Sequence, residues 1–251
     1  TNHGVPFNRN FFARKLLIFF EKITAKITTK IISNANIITE KFLEEKIGTP
    51  DKYVTIYSGV DLDKIKNSNS DLVIKRRKKI KVLCASRLVE GKGLEDFIEL
   101  AKRVNQQSKS FEFYLAGDGP LRTKLVKLAK ENVIFLGHCE NLPSIMKSCT
   151  LFILPSYREG TPRVITEALA CGLPVIATNI DGIPEQIMNE KNGILFSPGD
   201  VDFLEKLVVG ENWRQIKPSL NPKFGKKCMI SELRAIYNKT ISNLKNKYCN
   251  H

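Results

Sequence analysis

The chain has 251 residues, and its 40 Lys and Arg against 26 Asp and Glu give a formal net charge of +14. With 42% apolar and 26% charged residues it is too apolar to be disordered and long enough for one large domain or two smaller ones. A helical membrane span is excluded, because the richest apolar stretch, Leu16–Phe20, lies between Arg14-Lys15 and Glu21-Lys22 and falls far short of the roughly 20 residues a bilayer requires.

The first ten residues contain no continuous apolar run, so no secretory signal is expected. Phe12, Leu16, Phe19, Phe20, Ile23 and Ile27 then fall on one helical stripe. Ile31–Ile38 reads as a strand, Thr39–Lys46 as a helix and Tyr53–Tyr57 as a second strand. This resembles the closing part of an α/β unit, too short to be a whole nucleotide-binding sheet. Polar Lys64–Asp71, with Asn-Ser-Asn-Ser inside it, reads as a linker.

From Lys79 onward, short apolar runs alternate with helical patterns. The runs are Ile80–Ala85, Phe111–Ala116, Val133–Leu136, Leu151–Leu154 and Pro174–Ala177. Between them lie Leu94–Val104, Leu121–Lys130, Leu142–Ser148 and Val164–Ala170, each with apolar residues at helical spacing. Nearly continuous apolar strands, each followed by a helix, predict parallel strands buried on both faces: an α/β fold with a doubly wound parallel, Rossmann-like sheet. A helical turn at Pro184–Met188, a strand at Gly193–Phe196 and helices at Val201–Val208 and Met229–Lys247 complete the pattern. The expected division is a partial α/β segment over 1–62, a basic linker over 63–78, a Rossmann-like domain over 79–228, and a terminal helix and tail over 229–251.

Positive charge is concentrated in Lys75–Lys81 and in the stretch from Trp213 to His251, which has nine basic residues and one acid, Glu232. Such surfaces attract polyanions, or are simply solvated. The basic blocks lack interleaved aromatics, and no zinc-finger or RNP pattern is present, so nucleic acid is not the expected partner. Cys84, Cys139, Cys149, Cys171, Cys228 and Cys249 are scattered, without a C-x-x-C pair or a His at ligand spacing. That predicts neither a zinc site nor a disulfide framework, but reduced thiols in a cytoplasmic protein.

In an open α/β sheet, ligands sit beyond the carboxyl ends of the strands, so the residues after each run matter most. After the first come Ser86-Arg87-Leu88-Val89-Glu90-Gly91-Lys92-Gly93, with two cations suited to a diphosphate ahead of a helix. Taken alone, this reads equally well as a basic surface turn. Gly117-Asp118-Gly119-Pro120 and Gly137-His138-Cys139-Glu140 are tight turns that a ligand can approach closely. After the fourth run, Glu159 lies in the loop, Thr161-Pro162 opens a helix and Glu167 lies within its first turns. Two carboxylates so placed can accept hydrogen bonds from two parts of one polyhydroxylated ligand.

Together these residues resemble the retaining glycosyltransferases of the GT-B fold, group 1 (family 4). Glu159 and Glu167 match that family's E-x7-E, and Ser86–Gly93 its S-R-L-x-x-x-K-G. The G-D-G-P turn, the V-x-F-L-G strand, Gly182–Glu185 and Gly193–Phe196 with Pro198-Gly199-Asp200 also match in order over about residues 79–208. Ser58-Gly59-Val60-Asp61 resembles the family's interdomain hinge, and His3-Gly4 the H-G of its acceptor domain.

The resemblance implies a transferase that moves a sugar from a nucleotide-diphosphate sugar, UDP ahead of GDP, to a polysaccharide or lipid-linked acceptor with retention of configuration. Arg87 and Lys92 would neutralise the donor diphosphate in place of a metal, so no metal is expected. Glu159 would contact the sugar, Glu167 the ribose, and Gly160, Thr161, Pro162 and Arg163 would line sugar and phosphate. Gly117-Asp118 and Gly137-His138 would frame the base, and His3 is the candidate catalytic residue from the acceptor side. The family has a complete first domain of comparable size, so the resemblance also implies a chain that starts inside it, and the alternative is a non-catalytic remnant that at most binds nucleotide-sugar. Lys15, Lys22 and Lys26 beside the apolar stripe suggest an anionic membrane surface as a further partner, on the cytoplasmic face of the plasma membrane. A core helix with a solvated edge fits the same pattern.

Overall fold

The computed structural model describes residues 11–69 and 79–248. His3, Gly4, Lys75–Lys78 and Cys249 lie outside the described residues. The chain forms two compact units: residues 1–61 with 221–251, and residues 62–220.

The first unit opens with α1 (Phe11–Ile27), β1 (Ile31–Ser33), α2 (Asn36–Glu44) and β2 (Tyr53–Thr55), with β1 and β2 parallel. Ile31–Ile38 is therefore not one strand. It breaks after Ser33, and α2 turns Ile38 and Phe42, four residues apart, into a core with Ala25, Ala35 and Ile47. The described residues of the α1 stripe lie outside that core. The helix packs through Ala25 and partly buried Ile18, and Leu16, Phe19, Phe20, Ile23 and Ile27 are exposed. Lys52 fixes the end of α1 by donating to the carbonyls of Ala25 (2.7 Å) and Lys26 (3.0 Å).

The second unit begins with α3 (Leu62–Asn67), inside the segment expected to be linker. That expectation overlooked Ile65, which is buried, and Lys147, whose ammonium caps the carbonyls of Lys66 (3.0 Å) and Ser68 (2.6 Å). There follow β3 (Ile80–Ala85), α4 (Leu94–Gln107), β4 (Phe111–Ala116), α5 (Arg122–Ala129), β5 (Val133–Gly137), α6 (Leu142–Met146), β6 (Leu151–Leu154), α7 (Arg163–Ala170), β7 (Val175–Thr178), β8 (Ile194–Phe196) and α8 (Val201–Val209). The strands form one six-stranded sheet in the order β5-β4-β3-β6-β7-β8, all pairs parallel.

Both faces of this sheet are covered, which is why its strands read as unbroken apolar runs. Val82, Cys84, Phe113, Leu115 and Ile153 pack with α4, α5 and α8, whereas Leu83, Ala85, Tyr114, Phe152 and Leu154 pack with α6 and α7. Chain order reverses between β3 and β6, so their connections leave in opposite directions and open a crevice beyond their carboxyl ends.

The closing helix α9 starts at Lys226 and runs to Tyr248. Residues 221–228 join the first unit rather than the Rossmann-like one, because Val60 pairs with Gly225 and exchanges backbone hydrogen bonds with Phe224 (3.0 Å) and Lys226 (2.8 Å). A Cβ on Gly59 would lie 2.7 Å from the Lys226 Cα, so this crossing admits only glycine.

Gly93 is the tightest point of the sheet's upper edge. It has φ +61°, and a Cβ there would lie 1.8 Å from the Pro155 carbonyl oxygen. Gly93→Ala is expected to destabilise the fold by on the order of 3 kcal/mol, followed by urea unfolding of Trp213 fluorescence. Gly172→Ala has φ +77° but open space around it, so it should cost clearly less.

Candidate functional site

The loops after β3 and β6 meet at the crevice. The amide of Tyr157 donates to the Gly91 carbonyl (2.9 Å), and the Arg158 guanidinium lies over Gly91. Leu88 is buried and its amide donates to the Asp118 carbonyl (2.9 Å), which turns Arg87 outward. Arg87 is exposed and its guanidinium has no hydrogen-bond or ion-pair partner among the described residues.

Lys92 and Glu159 face each other across the crevice. The Lys92 ammonium donates to Glu159 Oε1 (2.7 Å) and to the Arg158 carbonyl (3.3 Å). Ser156 Oγ donates to the same carboxylate oxygen (2.8 Å), and the Glu159 amide donates to Asp181 Oδ2 (2.9 Å). The side chains of this pair are only 18% and 12% exposed, so charge-assisted bonds here are stronger than at a free surface. An ammonium has three donors, so Lys92 retains one for a ligand.

Glu167 is not in contact with that pair. It lies on α7 with Arg163 Nη2 at 3.9 Å, and burial pushes its carboxyl above the ordinary range, opposed by Arg163 and Lys64. Gly160 and Thr161 are buried at the turn into α7, and Arg163 is exposed.

The two glycine turns are fixed by backbone. Gly117 has φ +127° and donates to the Gly137 carbonyl (2.7 Å), and a Cβ on it would lie 1.9 Å from the Ser86 carbonyl oxygen. The Asp118 carboxylate accepts from the Gly119 amide (2.7 Å), and His138 is exposed at the tip of the next loop. Arg122 Nη1, beside Gly137, is buried without a hydrogen-bond partner.

Motif spacing did not single out Ser156, Arg158, Asp181, Gln186 or Arg122. Asp181 has a positive φ (+44°), and the only sequence signal for it is the Asp-Gly pair before Ile183-Pro184. Cys84 lies under the site, but burial and the nearby Glu159 carboxylate push its thiol well up, so it is no nucleophile. No group of three or more His, Cys, Asp or Glu that could hold a metal occurs among the described residues.

A family model described as "Glycosyl transferases group 1" matches residues 79–209, just over half of the chain. The chain belongs to that family. Among its relatives is the UDP-Gal:alpha-D-GlcNAc-diphosphoundecaprenol alpha-1,3-galactosyltransferase of Escherichia coli, 32% identical over 225 residues, covering 83% of this chain and 58% of that one. The capsular polysaccharide biosynthesis glycosyltransferase CapM of Staphylococcus aureus is 25% identical over 248 residues, covering 89% and 65%. This group 1 chain thus spans about six-tenths of the length of the curated relatives it matches. Its fold is that of a glycosyltransferase from Rickettsia africae (TM-score 0.79, 20% identity, 96% of this chain and 69% of that one). It is also that of Anabaena HepE in complex with UDP and glucose (TM-score 0.68, 22% identity, 91% and 67%). The sheet is therefore the Rossmann-like sheet of GT-B glycosyltransferases.

Because the buried Glu167 carboxyl holds its proton to higher pH in the fold than in the unfolded chain, its ionised form opposes folding. Glu167→Gln is expected to raise the thermal midpoint at pH 7.5. The gain should shrink as pH falls through the carboxylate range, where the native side chain also becomes neutral. A midpoint shift independent of pH contradicts this.

Proposed function

We propose that the chain is the donor-binding part of a retaining glycosyltransferase that takes a sugar from a UDP-sugar and passes it to a lipid-linked or polysaccharide acceptor, without a metal. The observation that supports this most is the Lys92–Glu159 pair at the switch point, with Arg87, unpartnered among the described residues, on the adjoining loop. As the sugar–phosphate bond breaks, negative charge builds on the diphosphate. Arg87 and the remaining Lys92 donor stabilise it in place, with no reorganisation at the moment of reaction. Glu159 accepts from sugar hydroxyls and Glu167 from the ribose, while the Gly117 and Gly137 turns frame the base with His138. Gly160, Thr161 and Arg163 line sugar and phosphate.

The two acids keep separate partners and bind the donor, so the two-carboxylate hydrolase scheme does not apply. Retention follows from a same-face displacement in which the departing phosphate helps take the acceptor's proton. The E. coli relative acts with UDP-Gal on a diphosphoundecaprenol-linked sugar and HepE was solved with UDP and glucose, which supports UDP as the nucleotide.

Calorimetry of the chain with UDP, GDP and their sugar conjugates, followed by a donor-hydrolysis assay, tests this reading. UDP is expected to bind, and Lys92→Ala and Glu167→Ala each to weaken it by about ten- to a hundredfold, the worth of one charge-assisted hydrogen bond. Unchanged affinity in both variants removes the site. Binding without turnover favours the non-catalytic alternative.

The exposed Leu16, Phe19, Phe20 and Ile23 on α1, with Lys15, Lys22 and Lys26 beside them, support contact with an anionic membrane surface at the cytoplasmic face. No helix among the described residues is long and apolar enough to cross a membrane. Co-sedimentation with phosphatidylglycerol vesicles is expected, weakening with salt and with the triple change of those lysines to Glu. Equal binding to phosphatidylcholine vesicles contradicts it.

A further inference from the structure

The connection after β7 grips the loop between β6 and α7 at successive points along its length. Thr178 Oγ1 donates to the Ser156 carbonyl (2.6 Å). Asp181 Oδ2 accepts the Glu159 amide (2.9 Å). Gln186 Nε2 donates to the Pro162 carbonyl (3.1 Å) and to Thr166 Oγ1 (2.7 Å). Ser156, Thr178 and Thr166 are fully buried and Gln186 is 4% exposed, so the Thr178 and Gln186 bonds do not compete with water, while the Asp181 bond is half-buried.

The gripping arm is itself immobilised. Ile183 and Ile187 are buried in the core under α7, and Asn192 donates to the Gln186 carbonyl (3.2 Å) and the Ser219 carbonyl (3.0 Å). One grip falls on Glu159 itself, and another on Thr166, the residue before Glu167.

We infer that the β7 connection is a clamp in which Asp181 and Gln186 are positioning residues, Asp181 setting Glu159 for the sugar and Gln186 setting the start of α7, and with it Glu167, for the ribose. This rests on the donor-site reading above. Neither residue touches the ligand; each fixes one acid, so the acids are held at opposite ends of one donor by separate bonds. Specificity for the sugar and affinity for the nucleotide are then separable by mutation.

Asp181 has φ +44°, a conformation that Asn and Gly also tolerate. Asp181→Asn keeps an acceptor for the Glu159 amide and Asp181→Gly removes it, while both suit the backbone. Calorimetry of the full chain with UDP and with UDP-galactose separates the two ends. Asp181→Gly is expected to weaken UDP-galactose about tenfold and to leave UDP within about twofold, with Asp181→Asn close to wild type. Gln186→Leu is expected to weaken both ligands by a similar factor.

If Asp181→Gly moves both ligands equally, or Asp181→Asn fails to restore binding, the clamp assignment is overturned and the contact is structural only. Unchanged affinity for both ligands in Gln186→Leu overturns it as well. A wild-type chain that binds neither UDP nor UDP-galactose overturns the donor-site reading itself. Binding by wild type with variants indistinguishable from it overturns the clamp alone.

Discussion

The reversal of strand order between β3 and β6 is the constraint on which the rest depends. Two parallel neighbours whose following helices lie on opposite faces cannot close the space beyond their carboxyl ends. Arg87, Lys92 and Glu159 of the candidate diphosphate and sugar site come from the two loops that leave this edge, and Arg163 opens the helix that follows the second. Gly93 lets those loops touch, because any side chain there would meet the Pro155 carbonyl. The close approach puts Lys92 within reach of Glu159, and the pair then holds both loops in one geometry.

A largely buried ion pair is weak evidence for stability, since desolvation offsets most of its attraction. Its value here is positional. Lys92 and Glu159 are each constrained by further bonds, to the Arg158 carbonyl and to Ser156 and Asp181. Glu167 shows the complementary cost: its burial opposes its ionised form, the form that the proposed ribose contact calls for. A buried acid that lowers stability is what functional sites commonly contain, which is consistent with the role proposed for it.

Much of this was legible in sequence. Strands buried on both faces read as continuous apolar runs, so β3 to β7 and the helices between them lie close to where periodicity puts them. The loops after β3 and β6 were legible because their glycines, cations and acids stand at fixed offsets from those runs. What failed depended on partners far away in sequence. Ile65 became a helix anchor, and Ile31–Ile38 broke because its second half turns toward Ala25. Asp181 had only the Asp-Gly pair as a signal and Gln186 none, because their partners lie about 20 residues upstream and are mostly backbone atoms that no side-chain pattern records. His3 lies outside the described residues, so its acceptor-side role rests on resemblance alone.

The distribution of charge separates two tasks. Within the crevice, cations and acids nearly balance: Lys92 faces Glu159, Arg163 faces Glu167, Arg158 and Asp181 add one charge of each sign, and Arg87 is left over. The surplus of +14 therefore resides elsewhere, in the segment from Trp213 to the end, in Lys75–Lys81 and along α1. A crevice filled with unpaired cations would hold any polyanion tightly and release a diphosphate slowly. A nearly neutral crevice on a strongly basic molecule draws anions in at long range, and selects among them by hydrogen bonds at close range. Under the proposed reading, that division would let one net charge attract both an anionic donor and an anionic surface while the crevice itself stays selective.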